Sequence, residues 1–216
     1  MNNNYLKFSD RPNHLELMIK SVKKAYPIPI KSIGGIAVDI GANVGAFALV
    51  NYNKFMKIIC IEPSKESVDK INNNLSDAEI TNVVVYRYCV SDIDNKTLKL
   101  FSYKPNNYSG NATTMEMGDL YDYDNYEEVM SISLEDIFIK FNLKKINYLK
   151  VDCEFSEIPF LLNKDLSKID YIGIEHHKSD DKRTQDLIKY LLEFFVMTKK
   201  ISENEFQYTN KRILNK

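Results

Sequence analysis

Val38-Asp39-Ile40-Gly41-Ala42-Asn43-Val44-Gly45-Ala46-Phe47 is the stretch that decides the fold. An apolar run that begins at Ile36 ends in an acidic residue and two glycines, then passes into a helical pattern. Ile36, Val38 and Ile40 have strand character, while Gly41 and Gly45 let the backbone turn tightly and approach a bound molecule. The helix that follows presents its amino-terminal N–H groups and positive dipole end to that molecule. The stretch therefore reads as a ligand loop.

Downstream the pattern repeats. Lys57 to Ile61 is a strand ending at Glu62-Pro63, and Ser64 then caps a helix whose Val68, Ile71 and Leu75 face inward. Val83 to Tyr88 is a third strand, left at Cys89-Val90-Ser91-Asp92. Strands alternating with helices predict a parallel sheet with right-handed crossovers. Ser133-Leu134-Glu135-Asp136 has the form of a capping box and opens a helix through Phe141. Beyond it, Ile146 to Val151 ends at Asp152, and Tyr171 to Ile174 ends at Glu175.

A helix from Arg183 to Phe195 follows, and Val196 to Ile201 with Phe206 to Tyr208 form an antiparallel hairpin. Upstream, Leu15, Met18, Ile19 and Val22 share one helical face, stopped by Pro27 and Pro29; this is a lid or packing helix. The expected architecture is α/β and Rossmann-like: about seven mostly parallel strands, a C-terminal antiparallel hairpin, and helices on both faces. One domain is expected over residues 1–216, with an N-terminal helical segment at 1–33 and an inserted strand and loop at 98–130. Apart from the strand Leu98 to Phe101 the insertion reads as irregular and tyrosine-rich, with Asn106, Asn107, Ser109, Gly110 and Asn111. Its Tyr103, Tyr108, Tyr121, Tyr123 and Tyr126 are suited to stacking on a sugar or to packing a lid.

Composition narrows the function classes. With 44% hydrophobic residues in 216, the chain can bury one substantial core. Lys plus Arg number 29 against 30 Asp plus Glu, so nothing draws it generally toward nucleic acid or an anionic membrane. Cys60, Cys89 and Cys153 make an odd count without metal-type spacing, which suits a reducing compartment. Met1-Asn2-Asn3-Asn4 lacks the features of a signal peptide, and no apolar run approaches the ~20 residues that span a bilayer. The expectation is a soluble, cytoplasmic protein, with no indication of oligomeric state.

Asp39, Glu62, Asp92, Asp152 and Glu175 all stand at strand ends, where an open α/β sheet binds its ligand. So many carboxylates argue against a phosphate. Asn43 occupies the place where a dinucleotide fingerprint needs its middle glycine, which disfavours a nicotinamide-dependent oxidoreductase. S-adenosylmethionine fits better: it has ribose hydroxyls but no phosphate, and its sulfonium and ammonium are attracted to carboxylates. Asp39-x-Gly41-x-Asn43-x-Gly45 resembles the first motif of class I methyltransferases. That resemblance implies a glycine loop under the methionine part, Glu62 accepting from both ribose hydroxyls, and Ser91 or Asp92 near the adenine.

Tyr148-Leu149-Lys150-Val151-Asp152-Cys153-Glu154-Phe155-Ser156-Glu157 resembles the Leu-Lys-Ile-Asp-Val-Glu-Gly-x-Glu segment of FkbM-type methyltransferases. Ser131-Ile132-Ser133-Leu134-Glu135-Asp136-Ile137 is similar to their Val-x-Leu-Asp-Asp-Leu segment, and Ile172-Gly173-Ile174-Glu175-His176 to their next strand end. The resemblance covers residues 34–176 in the family's order. It implies methyl transfer from S-adenosylmethionine, generally to an oxygen and often on a sugar, glycan or natural product. Phe155 departs from the pattern where the family has glycine, so either the loop takes another course or Phe155 walls an altered acceptor pocket. The same departure motivates the alternative of a catalytically altered binding or scaffold protein.

A hydroxyl acceptor must lose its proton. Asp152, Glu154, Glu157, Glu175, His176 and His177 are the bases near the expected donor; Asp152 and His176 are favoured, with Glu154 and Glu175 beside them. The two histidines cannot point the same way on a strand. No metal is assigned, although Asp152, Glu175 and His176 would bring oxygen and imidazole ligands together. His14 reads as a helix-start residue.

Overall fold

Strands β1 (Ile36–Ile40) and β2 (Lys57–Ile61) are buried at every position after the first. Parallel strands covered on both faces have that pattern, which is why they read as unbroken apolar runs. The computed structural model describes residues 14–103, 108–114, 121–177 and 180–214. Its further strands are β3 (Val83–Tyr86), β4 (Cys89–Val90), β5 (Thr97–Tyr103), β6 (Tyr108–Thr113), β7 (Tyr121–Ile132), β8 (Ile146–Val151), β9 (Ile169–Glu175), β10 (Phe195–Lys200) and β11 (Glu205–Asn210). The helices are α1 (His14–Ala25), α2 (Ala46–Asn51), α3 (Lys65–Asp77), α4 (Leu134–Lys140), α5 (Glu157–Leu161), α6 (Lys182–Phe194) and α7 (Lys211–Leu214).

The main sheet has seven strands in the order β10-β11-β9-β8-β1-β2-β3. Pairing is parallel from β9 through β3 and antiparallel where β11 meets β9 and β10. Two apolar clusters flank it. One joins Val38, Ile59 and Leu149 to Ile137, Phe160, Leu187 and Leu191 of α4, α5 and α6. The other joins Ala37, Ile58 and Tyr148 to Phe47, Ile71 and Leu75 of α2 and α3. Neighbouring strand residues thus bury into opposite layers, as the period of two requires.

The helix caps follow the sequence. Ser64 accepts from the Ser67 N–H, Ser133 from the Asp136 N–H and Asp181 from the Arg183 N–H. Among the described residues no helix is long and apolar enough to cross a membrane.

The insertion differs from expectation. In place of one strand and a loop, β4, β5, β6 and β7 form a second sheet in the order β4-β7-β5-β6. Its core is small: Cys89, Leu100 and Val129, with Leu98 packed against them. So little of β7 is covered that Asp, Asn and Glu occupy much of it, and the alternation that marks a half-buried strand is lost. Tyr121 is buried, and Tyr123 and Tyr126 set their rings 4.9 and 6.3 Å from Phe101, packing this sheet. The side chains of Tyr103 and Tyr108, together with Asn106 and Asn107, lie outside the described residues.

Candidate active site

Strand order reverses direction at β1, with β2 on one side and β8 on the other, and ligands of open α/β sheets bind at such a switch point. A cleft with about 810 Å³ of empty space, counted to its open mouth, lies there. Gly41, Asn43 and Glu62 line one part of it, Asp152 and Glu154 another, and Met18 and Val22 of α1 contribute apolar surface. Helix α1 therefore packs over the cleft.

The loop is held from behind. Gly41 has φ +70°, and a Cβ there would lie 1.7 Å from the Asp152 carbonyl oxygen. The glycine thus admits the end of β8, where the sequence reading gave it a ligand. Gly45 has φ +82° and caps α2; a Cβ there would press on Ile71 at 3.1 Å. Asn43 takes φ +52°, and its N–H donates to Glu62 Oε2 at 2.8 Å while the Ser64 N–H donates to Oε1 at 3.0 Å. Burial pushes the Glu62 carboxyl up to about 7 against those two donors. Its remaining lone pairs stay available to a ligand's hydroxyls.

Beneath the loop, Lys150 stands opposite Asp39 in the β1/β8 register. Its ammonium donates to the carbonyls of Gly41 at 2.6 Å and Ile40 at 3.2 Å, with Asp39 Oδ1 at 3.2 Å and Asp152 Oδ2 at 3.7 Å. Burial alone lowers a lysine pKa, yet Asp39 and Asp152 outweigh it and hold Lys150 above its ordinary range. Burial raises Asp39, and Lys150 opposes the rise. The Tyr26 hydroxyl donates to Asp152 Oδ2 at 3.0 Å.

Glu154 and Phe155 both adopt left-handed backbone, φ +48° and +72°. Phe155 keeps the conformation a glycine favours, at a cost of ~1–2 kcal/mol, and buries its ring 5.1 Å from the His177 ring. It packs behind the cleft and does not line it. The second sheet reaches the same loop: Thr113 Oγ1 donates to the Glu154 carbonyl at 3.1 Å, and the Thr114 and Ser156 hydroxyls lie 3.5 Å apart.

The histidines separate. His176 is wholly buried, sharing a 3.2 Å hydrogen bond with the Tyr208 hydroxyl, its ring 5.2 Å from Phe206. Burial, then the charge of His177, pushes it down to about 4, so it is a neutral core residue. The expectation that His176 takes the acceptor's proton is corrected by this placement. His177 instead lies among carboxylates, with Nδ1 3.2 Å from Glu157 Oε1 and Nε2 3.4 Å from Glu154 Oε2. Burial acts to lower its pKa, but the hydrogen bonds to Glu154 and Glu157 raise it to about 11. Glu175, near Asp152, is pushed up to about 7 by burial and by that neighbouring charge.

The structure thus brings Gly41, Asn43, Glu62, Asp152 and Glu154 to one cleft, with Glu175 beside Asp152. Asp39 is buried beneath the loop and Gly45 ends it at the cap of α2, and neither lines the cleft. Ser91 and Asp92 fall outside the lining, and Tyr88, Cys89 and Val90 take that edge. Lys150 and Tyr26 were given no role in the sequence, and His177 stood among the candidate bases with His176 favoured over it. For His177 a signal was present: residues two apart share a strand face, so the partner of Glu175 is His177 and not His176.

Residues 39–208 match the family model described as the methyltransferase FkbM domain. The chain belongs to this family. Among solved structures, the FkbM methyltransferase of Methylobacillus flagellatus KT aligns with a TM-score of 0.52 at 16% identity, covering 91% of this chain and 52% of that one. The present chain therefore spans about half the length of that relative. The precorrin 8w decarboxylase of Methanobacterium thermoautotrophicum aligns with a TM-score of 0.50 at 13% identity, covering 95% and 96% of the two chains. No curated protein sequence matches the chain. Family and sheet order agree on a Rossmann-like methyltransferase fold, with the FkbM domain ending inside β11.

Proposed function

We propose that this FkbM domain uses S-adenosylmethionine to methylate a hydroxyl on a sugar, glycan or natural-product-like small molecule. The observation that carries the reading is Glu62: a buried carboxylate at the cleft, fixed by the Asn43 and Ser64 N–H groups. An acceptor-only group so placed suits a ribose diol. The chemistry supplied by the bound donor is methyl transfer: the acceptor oxygen forms the O–C bond while the C–S bond breaks with its electron pair on sulfur.

The chain's own residues orient, exclude water and take a proton. Met18 and Val22 cover the cleft, and the glycine loop with Asn43 sets where the donor lies. The hydroxyl proton passes to the carboxylates at the ends of β8 and β9, Asp152, Glu154 or Glu175. A near-zero net charge favours a small-molecule or glycan acceptor over nucleic acid or a membrane surface. Calorimetry with S-adenosylhomocysteine tests the reading. Binding that is lost on Glu62→Ala supports it; a folded wild-type chain that binds none refutes it.

A further inference from the structure

Asp152, Glu175 and His177 each bring a ligand atom within 4.8 Å of the others, at the carboxyl ends of two adjacent strands. From this geometry we propose a site for a hard divalent cation, Mg2+ or Mn2+, held by these three side chains and opening on the cleft.

The scaffold places them rigidly. Val151 and Ile174 are partners in the β8/β9 register, so the next residues, Asp152 and Glu175, stand side by side. His177 lies two residues beyond Glu175, and its backbone N–H donates to Glu157 Oε1 at 3.3 Å. The same oxygen lies 3.2 Å from His177 Nδ1, and Glu157 is completely buried. A carboxylate so fixed behind one ring nitrogen aims the other, Nε2, at the acidic cluster, where Glu154 Oε2 lies 3.4 Å away; an ion bound there takes the place of the ring proton, as in histidines that ligate metals. Asp152 gives its Oδ2 to the Tyr26 hydroxyl, which leaves Oδ1 for an ion.

Charge points the same way. Asp152, Glu154, Glu157 and Glu175 converge with His177 as their imidazole partner, and Lys150, 3.7 Å from Asp152 Oδ2, is shared with Asp39 and the Gly41 carbonyl. Partly buried negative charge in excess of its counter-charges is stabilised by a divalent ion. Two carboxylates with one imidazole suit Mg2+ or Mn2+ better than the thiolate-rich sets that select Zn2+. An octahedral ion with three protein ligands has three positions left for oxygens, so the acceptor it favours offers two neighbouring ones, such as a vicinal diol of a sugar. That last step rests on the proposed function; the ion site does not.

Electron paramagnetic resonance of Mn2+ titrated into the intact, tag-free chain provides the test, with S-adenosylhomocysteine affinity measured on the same samples. The expected result is one saturable site per chain, weakened about tenfold or more by Glu175→Gln and by His177→Asn. Glu157→Gln keeps all three ligands but releases the ring, and is expected to weaken Mn2+ about tenfold. No saturable binding to the wild-type chain, or binding unchanged in folded Glu175→Gln and Glu157→Gln, overturns the site. Mn2+ failure with S-adenosylhomocysteine bound defeats the ion alone; the reverse outcome defeats the donor reading and leaves the ion standing.

Discussion

Replacing Lys150 by Met tests how the glycine loop is held. The ammonium is almost wholly buried, faces the fully buried Asp39 at 3.2 Å, and donates to the carbonyls of Gly41 and Ile40. Removing one partner of a buried pair costs ~3–5 kcal/mol because the other charge is left uncompensated. The two carbonyls lose a donor at ~1 kcal/mol each, and the apolar Met returns ~1–2 kcal/mol through its own burial. The net loss is then about 3–6 kcal/mol, a large part of the ~5–15 kcal/mol that stabilises a typical domain. Urea denaturation at pH 7 measures it, and adding Asp39→Asn is expected to recover at least ~1 kcal/mol through coupling.

The pH dependence has a definite sign. Asp39 is already raised by burial. Its contribution is full below the unfolded carboxylate value of ~3.9 and is lost as pH rises through the folded one. Without Lys150 the folded value moves further up, so the deficit of Lys150→Met is smaller at pH 5 than at pH 7. A loss under ~1 kcal/mol, or one indifferent to Asp39→Asn, refutes the idea that this pair holds the loop.

Because the Glu62 carboxyl is pushed up to about 7, S-adenosylhomocysteine should bind about tenfold more weakly at pH 6 than at pH 8; calorimetry across that range checks it, and Glu62→Gln should flatten the profile. His176→Phe is expected to leave methyl transfer within about twofold, whereas removing a true general base costs ~100-fold or more. In the wild-type chain His176 is depressed to about 4, so the stability it contributes is present above the unfolded value of ~6.5 and is lost as pH falls toward 4; His176→Phe should remove that acid loss in urea titrations at pH 5 and 7. Phe155→Gly relieves ~1–2 kcal/mol of left-handed strain but forfeits ~3–5 kcal/mol of buried ring, so a lower urea midpoint is expected. A gain in stability would show that the ring is poorly packed.

The middle of the main sheet was legible because β2, β8 and β9 announce themselves twice, by an apolar run and by an acidic residue where it ends. Glu62 and Asp152 were readable for that reason. Asp39 was misplaced by the same rule: its position on β1 was right, but the lysine opposite it depends on register across residues far apart in sequence. The second sheet escaped because its strands cover so little apolar surface that β7 reads as polar loop. Phe155 looked like a break in the pattern, yet it holds the left-handed turn with its own ring buried against the partly buried His177.

The threonine contacts of the second sheet have a consequence for how the chain can be altered. The glycine loop is gripped from β2, β8 and, through the Asn74 amide on the Val44 carbonyl, α3, while Thr113 and Thr114 belong to a segment that enters and leaves the fold beside β4. At its root that segment is pinned by Ser131, whose hydroxyl donates to the Ile93 carbonyl and accepts from the Lys96 N–H. It is a graft with a firm base and a light latch. Leu100 and Thr114 of that segment line the cleft, so exchanging those two side chains would redraw one part of its wall while the strands that carry Glu62 and Asp152 keep their pairing.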